Sequence, residues 1–109
     1  MIFKVAILQT RAEISNIKRN IDTIICSMKE ASKNGADILL LPECFVTGYE
    51  LPITYEKSIS CDDEAIMKIC EAAKECNIGV VLTSFTKGKT QPQNTAFVIN
   101  KFGEILMKY

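Results

Sequence analysis

The spacing of apolar residues changes several times along the chain, and each change marks a new element. Ile2 to Gln9 is β-branched and apolar almost throughout, which predicts a strand buried on both faces. Thr10 to Ala12 is a polar break. From Ile14 the apolar side chains recur at Ile17, Ile21, Ile24, Ile25, Met28 and Ala31, and steps of three and four predict an amphipathic helix. Ser15 can accept from the free N–H groups at its start. Asn34-Gly35 can supply the left-handed residue that ends it. Asp37-Ile38-Leu39-Leu40-Leu41 is a second apolar run, closed by Pro42. A helix between two strands makes them parallel, so the first 42 residues read as a βαβ unit.

Residues 42–61 form the longest irregular stretch, with two of the three prolines and with Gly48, Tyr49 and Tyr55. Long loops inside compact domains are usually functional. Asp62-Asp63-Glu64 then opens a second helix, because acidic residues in a first turn complement the helix dipole. Ala65, Ile66, Ile69, Cys70 and Ala73 line its apolar face, and Asn77 ends it. Ile78 to Phe85 reads as a third strand, Lys87 to Gln93 as a polar loop and Thr95 to Ile99 as a fourth strand. A turn at Asn100-Lys101-Phe102-Gly103 leads into a fifth, from Glu104 to Lys108. The fold class is α/β, with parallel units first and an antiparallel hairpin last, in one domain spanning 1–109.

Composition narrows the function classes. Thirteen Lys plus Arg balance thirteen Asp plus Glu. Without a basic face, binding to nucleic acid or to an anionic membrane through bulk charge is not expected. No stretch approaches the roughly 20 apolar residues of a membrane helix, and the N-terminal run carries Lys4 inside it and reads as a strand, not a signal peptide. The chain has no histidine, so it has no His-based triad or His metal ligand. Five cysteines, an odd number without a C-x-x-C pair, make a poor disulfide framework and a poor zinc site. A reducing, cytoplasmic setting without metal or cofactor is the expectation.

The candidate chemistry lies in Leu41-Pro42-Glu43-Cys44-Phe45-Val46-Thr47-Gly48-Tyr49. Glu43 sits two residues past a strand, and ligands in parallel α/β sheets bind outside the carboxyl ends of strands. Beside Phe45 and Tyr49 its carboxylate is expected to be partly desolvated, a setting in which carboxylates work as general bases near neutral pH. Cys44 cannot easily be the thiol that Glu43 serves, since neighbouring side chains in extended chain point to opposite faces. Asn94 reads as a structural hydrogen-bonding residue. Tyr49 can pack on the glutamate loop or line a substrate pocket. Lys87-Gly88-Lys89 is a solvated loop, with no helix after it to make a phosphate site.

L-P-E-x-F-x-x-G-Y after a strand closely resembles the glutamate motif of the nitrilase superfamily, the carbon–nitrogen hydrolases. Lys4-Val5-Ala6-Ile7-Leu8-Gln9 is similar to that family's first strand, and Asn20 lies where the family often has Asn. Gly35-Ala36-Asp37 resembles the G-A-D/E before the glutamate strand. Asn94-Thr95-Ala96-Phe97-Val98-Ile99 followed by Gly103-Glu104-Ile105 resembles its Y-N-x-A-x-x-I…G-x-I hairpin, with Gln93 where Tyr is common. The ordered set covers the whole chain.

The resemblance implies an α-β-β-α sandwich of which this chain is the N-terminal part. It also implies a Glu-Lys-Cys triad that hydrolyses amide, nitrile or ureido substrates through a thioester acyl-enzyme, and a homo-oligomeric intact protein. Only the glutamate transfers, as Glu43, with Tyr49 as a substrate-binding candidate. The family's lysine falls just beyond the hairpin, in a Y-R-K-x-H-L-like stretch, and its cysteine further on. Lys108 matches the basic residue before that tyrosine and is a poor stand-in for the catalytic lysine. The 109-residue chain is therefore expected to be inactive alone. The competing expectation is a truncated, non-catalytic relative that acts as a subunit or interaction partner through its open sheet edge. An unrelated nucleotide-binding module is disfavoured, since Gln9-Thr10-Arg11-Ala12 offers no glycine-rich turn.

Overall fold

The computed structural model describes residues 2–109. Five strands form one sheet in sequence order: β1 (Val5–Ile7), β2 (Ile38–Leu40), β3 (Gly79–Lys87), β4 (Pro92–Ile99) and β5 (Ile105–Lys108). β1, β2 and β3 are parallel, and β4 and β5 are antiparallel additions. Helix α1 (Ile17–Lys33) joins β1 to β2, and α2 (Glu64–Cys76) lies between β2 and β3. Two crossovers of one hand along a sheet that grows in one direction place both helices on the same face.

Strand register divides the side chains cleanly. Ala6, Leu39, Val80 and Ile99 stand in one row across β1–β4, and all belong to or pack against the core under the helices. Ile24, Met28, Ile66, Ile69 and Ala73 meet them from α1 and α2. One residue along each strand, Ile7, Leu40, Val81, Val98 and Met107 form the opposite row, which neither α1 nor α2 covers. Ile7 is 66% exposed and Met107 57%. The chain thus supplies one helical layer and one sheet.

The helix ends follow local chemistry. Asp63 caps α2, its carboxylate accepting from the Ala65 N–H at 2.9 Å, and Asn77 closes the helix in the left-handed region at φ 54°. Gly35, at φ 81°, follows the last turn of α1 as expected. Its N-cap is Asn16, not Ser15: the Asn16 side chain accepts from the Arg19 N–H at 3.2 Å, while Ser15 turns left-handed at φ 57°.

The first strand departs most from expectation. β1 is only three residues long and mostly exposed. It lies at the sheet edge, where apolar composition cannot supply a second neighbour. β2 is likewise short, and only its central Leu39 is fully buried. β3 and β4 run further than predicted, because they pair with each other from Val80–Ile99 to Lys87–Pro92.

Candidate active site

β2 stops at Leu40, and the chain then turns over the carboxyl end of the neighbouring strand. Residues 43–47 form a tight turn that takes over the free edge of β3. The Val46 N–H donates to the Thr83 carbonyl at 3.0 Å. The Phe45 N–H donates to Thr83 Oγ1 at 3.0 Å, and that hydroxyl donates onward to the Pro42 carbonyl. The Phe85 N–H donates to Thr47 Oγ1 at 3.2 Å. Ile59 continues the edge, bridging to Thr86 in parallel sense.

The other flank of the loop is tied to the segment before α1. Asn20 is buried on the helix face, and its Nδ2 donates to the Glu13 carbonyl at 2.7 Å and the Val46 carbonyl at 3.0 Å. Its Oδ1 accepts from the Glu13 N–H at 2.8 Å. The Ser15 N–H donates to the Thr47 carbonyl at 2.9 Å. Gly48 closes the loop at φ 80°, where an added Cβ would lie 2.9 Å from Ile14 Cα.

This double anchoring leaves Glu43 at the strand end with its carboxylate outward. Its Oε1 accepts a hydrogen bond from Asn94 Nδ2, a residue 51 positions away on β4. The register places Asn94 opposite Phe85, whose ring packs against Tyr49 with centroids 5.5 Å apart. Glu43, Tyr49, Arg11, Pro42, Phe45 and Glu50 border an open cleft of about 470 Å³. The structure therefore brings Glu43 and Tyr49 to one cleft and bonds Asn94 to Glu43.

One expectation fails here. Glu43 is exposed, not partly desolvated. Phe45 turns inward and is 1% exposed, and Tyr49 leans on Phe85, so neither ring shields the carboxylate.

Cys44 is fully buried in a left-handed turn at φ 50°. Burial, and secondarily the Glu43 charge, push its thiol up to about 12. Its side chain is fully buried and does not border the cleft, so it is not placed to attack a substrate beside Glu43. Lys108 pairs in register with Phe97 and so stands on the helix side of the sheet, opposite to Asn94, where its Nζ donates to Cys61 Sγ at 3.7 Å. It does not join Glu43.

Sequence reading missed Thr83 and Thr47. The available signal was a hydroxyl pair, Thr83-Ser84, inside the apolar run of β3, and a threonine inside the glutamate motif.

An exposed carboxylate on a tight turn at the carboxyl end of a parallel strand, flanked by a β-hairpin, sits where α/β folds bind their ligands. The chain belongs to the carbon–nitrogen hydrolase family, whose model matches residues 4–109. It is 36% identical over 98 residues to Nitrilase homolog 2 of Dictyostelium discoideum, covering 86% of this chain and 30% of that protein. It is 36% identical over 111 residues to Omega-amidase NIT2 of Homo sapiens, covering 98% of this chain and 39% of that protein. Among solved structures, a glutamate-to-glutamine mutant of the amidase from Nesterenkonia sp. AN1 matches with a TM-score of 0.81 and 26% identity, over 98% of this chain and 41% of that one. That mutant carries the acetamide moiety of fluoroacetamide covalently on its active-site cysteine. The chain spans less than two fifths of the length of these curated relatives.

Proposed function

We propose that this chain carries the general base of an enzyme that cleaves non-peptide C–N bonds in small amides, nitriles or ureido compounds. The observation that carries the reading is Glu43 at the β2 end, held by Asn94 at the mouth of the cleft. In this reading Glu43 takes the proton of a cysteine thiol as the sulfur attacks the substrate carbon. A lysine ammonium stabilises the oxyanion or its nitrile counterpart. An amide's nitrogen takes that proton from Glu43 and leaves as ammonia or amine, whereas a nitrile's thioimidate first takes up one water before ammonia leaves. A further water activated by Glu43 then hydrolyses the thioester and returns the proton to the thiol. Tyr49 contacts the substrate from the cleft wall.

In this reading residues 1–109 do not supply the lysine and the cysteine. The burial of Cys44 and the position of Lys108 support this, because neither substitutes near Glu43. The 109-residue chain alone is then inactive, since the members of such a triad act as a unit. Five free thiols suit a reducing cytoplasm. Likeness to the family supports a homo-oligomer for the intact protein, without metal or organic cofactor.

The test is ammonia release from acetamide by the polypeptide extended through its reading frame. Glu43→Gln should lose about 10²–10⁴ in rate, and the 109-residue chain should be silent. Wild-type rates in the Glu43→Gln variant would overturn the reading.

The uncovered apolar row from Ile7 to Met107 favours a second reading, in which the chain is a non-catalytic subunit that another polypeptide completes. Sedimentation separates the two. A well-behaved monomer of the 109-residue chain would count against the subunit role.

A further inference from the structure

We infer that Asn94 is a positioning residue for Glu43, fixing one carboxylate oxygen so that the other alone faces the cleft as the base. The inference rests on the reading of Glu43 given above and extends it to the residue that orients the base. Asn94 Nδ2 donates to Oε1 of Glu43. A carboxylate on an exposed side chain otherwise samples several rotamers, and catalytic geometry tolerates little of that. The backbone beneath Glu43 is already fixed by two buried threonines, Thr83 of β3 accepting from the loop's Phe45 N–H and Thr47 of the loop accepting from the Phe85 N–H of β3. The remaining freedom is in the side chain, and Asn94 removes it.

The donor is itself held firmly. Asn94 sits within the paired length of β4, opposite Phe85, and the β3–β4 ladder continues past it to Pro92. The same β3 residues that clamp the glutamate loop therefore set the height of Asn94 above the sheet. Loop and donor are referenced to one strand, so their separation does not depend on loop flexibility. An amide fits this role better than a cation would. It holds the carboxylate by one N–H and leaves its charge free to draw the nucleophile's proton. The neighbouring Oδ1 accepts only, which dictates which end of the amide faces Glu43.

The experiment uses the intact polypeptide, after Glu43→Gln has been shown to abolish hydrolysis. Asn94→Ala should lower kcat about 10- to 100-fold and change KM less than about twofold. Asn94→Asp places a second carboxylate against the first. The two then share a proton, and the acid limb of the kcat profile should move up by about one pH unit or more. A purely structural asparagine would lose stability without moving that limb. Wild-type kcat in Asn94→Ala, or an unmoved acid limb in a folded Asn94→Asp, overturns the inference while leaving the reading of Glu43 intact. If Glu43→Gln keeps its activity, that reading fails instead.

A second measurement needs no turnover. In the ¹⁵N-labelled 109-residue chain, the Asn94 side-chain amide should shift as Glu43 is protonated, and Glu43→Gln should abolish that titration. An Asn94 amide indifferent to pH would also overturn the inference.

Discussion

Replacing Thr83 by valine would keep the shape of the side chain and remove a single oxygen. That oxygen has two partners. It accepts from the buried Phe45 N–H at 3.0 Å and donates to the Pro42 carbonyl. Thr83 is 8% exposed, so water cannot readily take its place. Leaving a buried backbone donor unsatisfied costs about 1–3 kcal/mol, and the second partner adds part of another bond, for a total of about 2–4 kcal/mol. The natural control is Thr83→Ser, which keeps the oxygen and loses one methyl group, worth about 1 kcal/mol. Both should be read by urea denaturation of the folded chain. With a slope of about 2 kcal/mol/M, the middle of the range for small domains, valine should lower the midpoint by about 1–2 M, and serine by about 0.5 M. An unchanged slope would show that the loss is in stability and not in cooperativity. A valine midpoint at or above that of serine would refute the assignment of Thr83 as the fastener of the glutamate loop.

Two further outcomes follow from the same loop. With its thiol pushed up to about 12, Cys44 should resist iodoacetamide at pH 8 while exposed Cys26 labels readily, and peptide mapping would check this. Its raised folded-state value also means that the stability it contributes is complete below the unfolded thiol value of 9.0 and is lost as pH rises toward 12. The alkaline fall in melting temperature should be shallower in Cys44→Ala than in the wild type. Gly48→Ala forces a Cβ to within 2.9 Å of Ile14 Cα at φ 80°, so the melt should drop by the equivalent of about 1–3 kcal/mol. A Gly48→Ala melt equal to that of the wild type would show that the loop shifts freely.

Features with local causes were legible in the sequence. Asp63 and Asn77 end α2 because a short carboxylate and a left-handed amide satisfy orphan backbone groups within a few residues. The steps of three and four placed α1 and its buried Ile21, Ile24 and Met28 correctly. Glu43 was legible through its motif and its place after a strand. Features that depend on register were not. Nothing in residues 92–96 says that Asn94 faces Glu43 and not solvent, because this follows from the Phe85–Asn94 pairing and from a loop 51 positions away. The burial of β1 was overestimated for the same reason. Apolar composition describes what a strand tolerates, while its neighbours decide what it receives.

The exposure of Glu43 and the exposure of the apolar row have one geometric origin. Asn94 and Phe85 lie on the same sheet face as Val81, Val98 and Met107, so the carboxylate projects from the side that neither α1 nor α2 covers. Only the carboxyl half of β3 is covered there. The glutamate loop lies across it, which is why Thr83 and Phe85 are buried while Ile7 and Met107 are not. Beyond the loop the face is apolar and open. A layer packed on the row from Ile7 to Met107 would bury that surface, and its edge would pass beside the cleft at Glu43. Excluding water there strengthens every charge interaction of the carboxylate. Covering the sheet and drying the site would then be one event. The dry setting expected for Glu43 depends on that layer and not on Phe45 and Tyr49, which this chain commits to its own core and to Phe85.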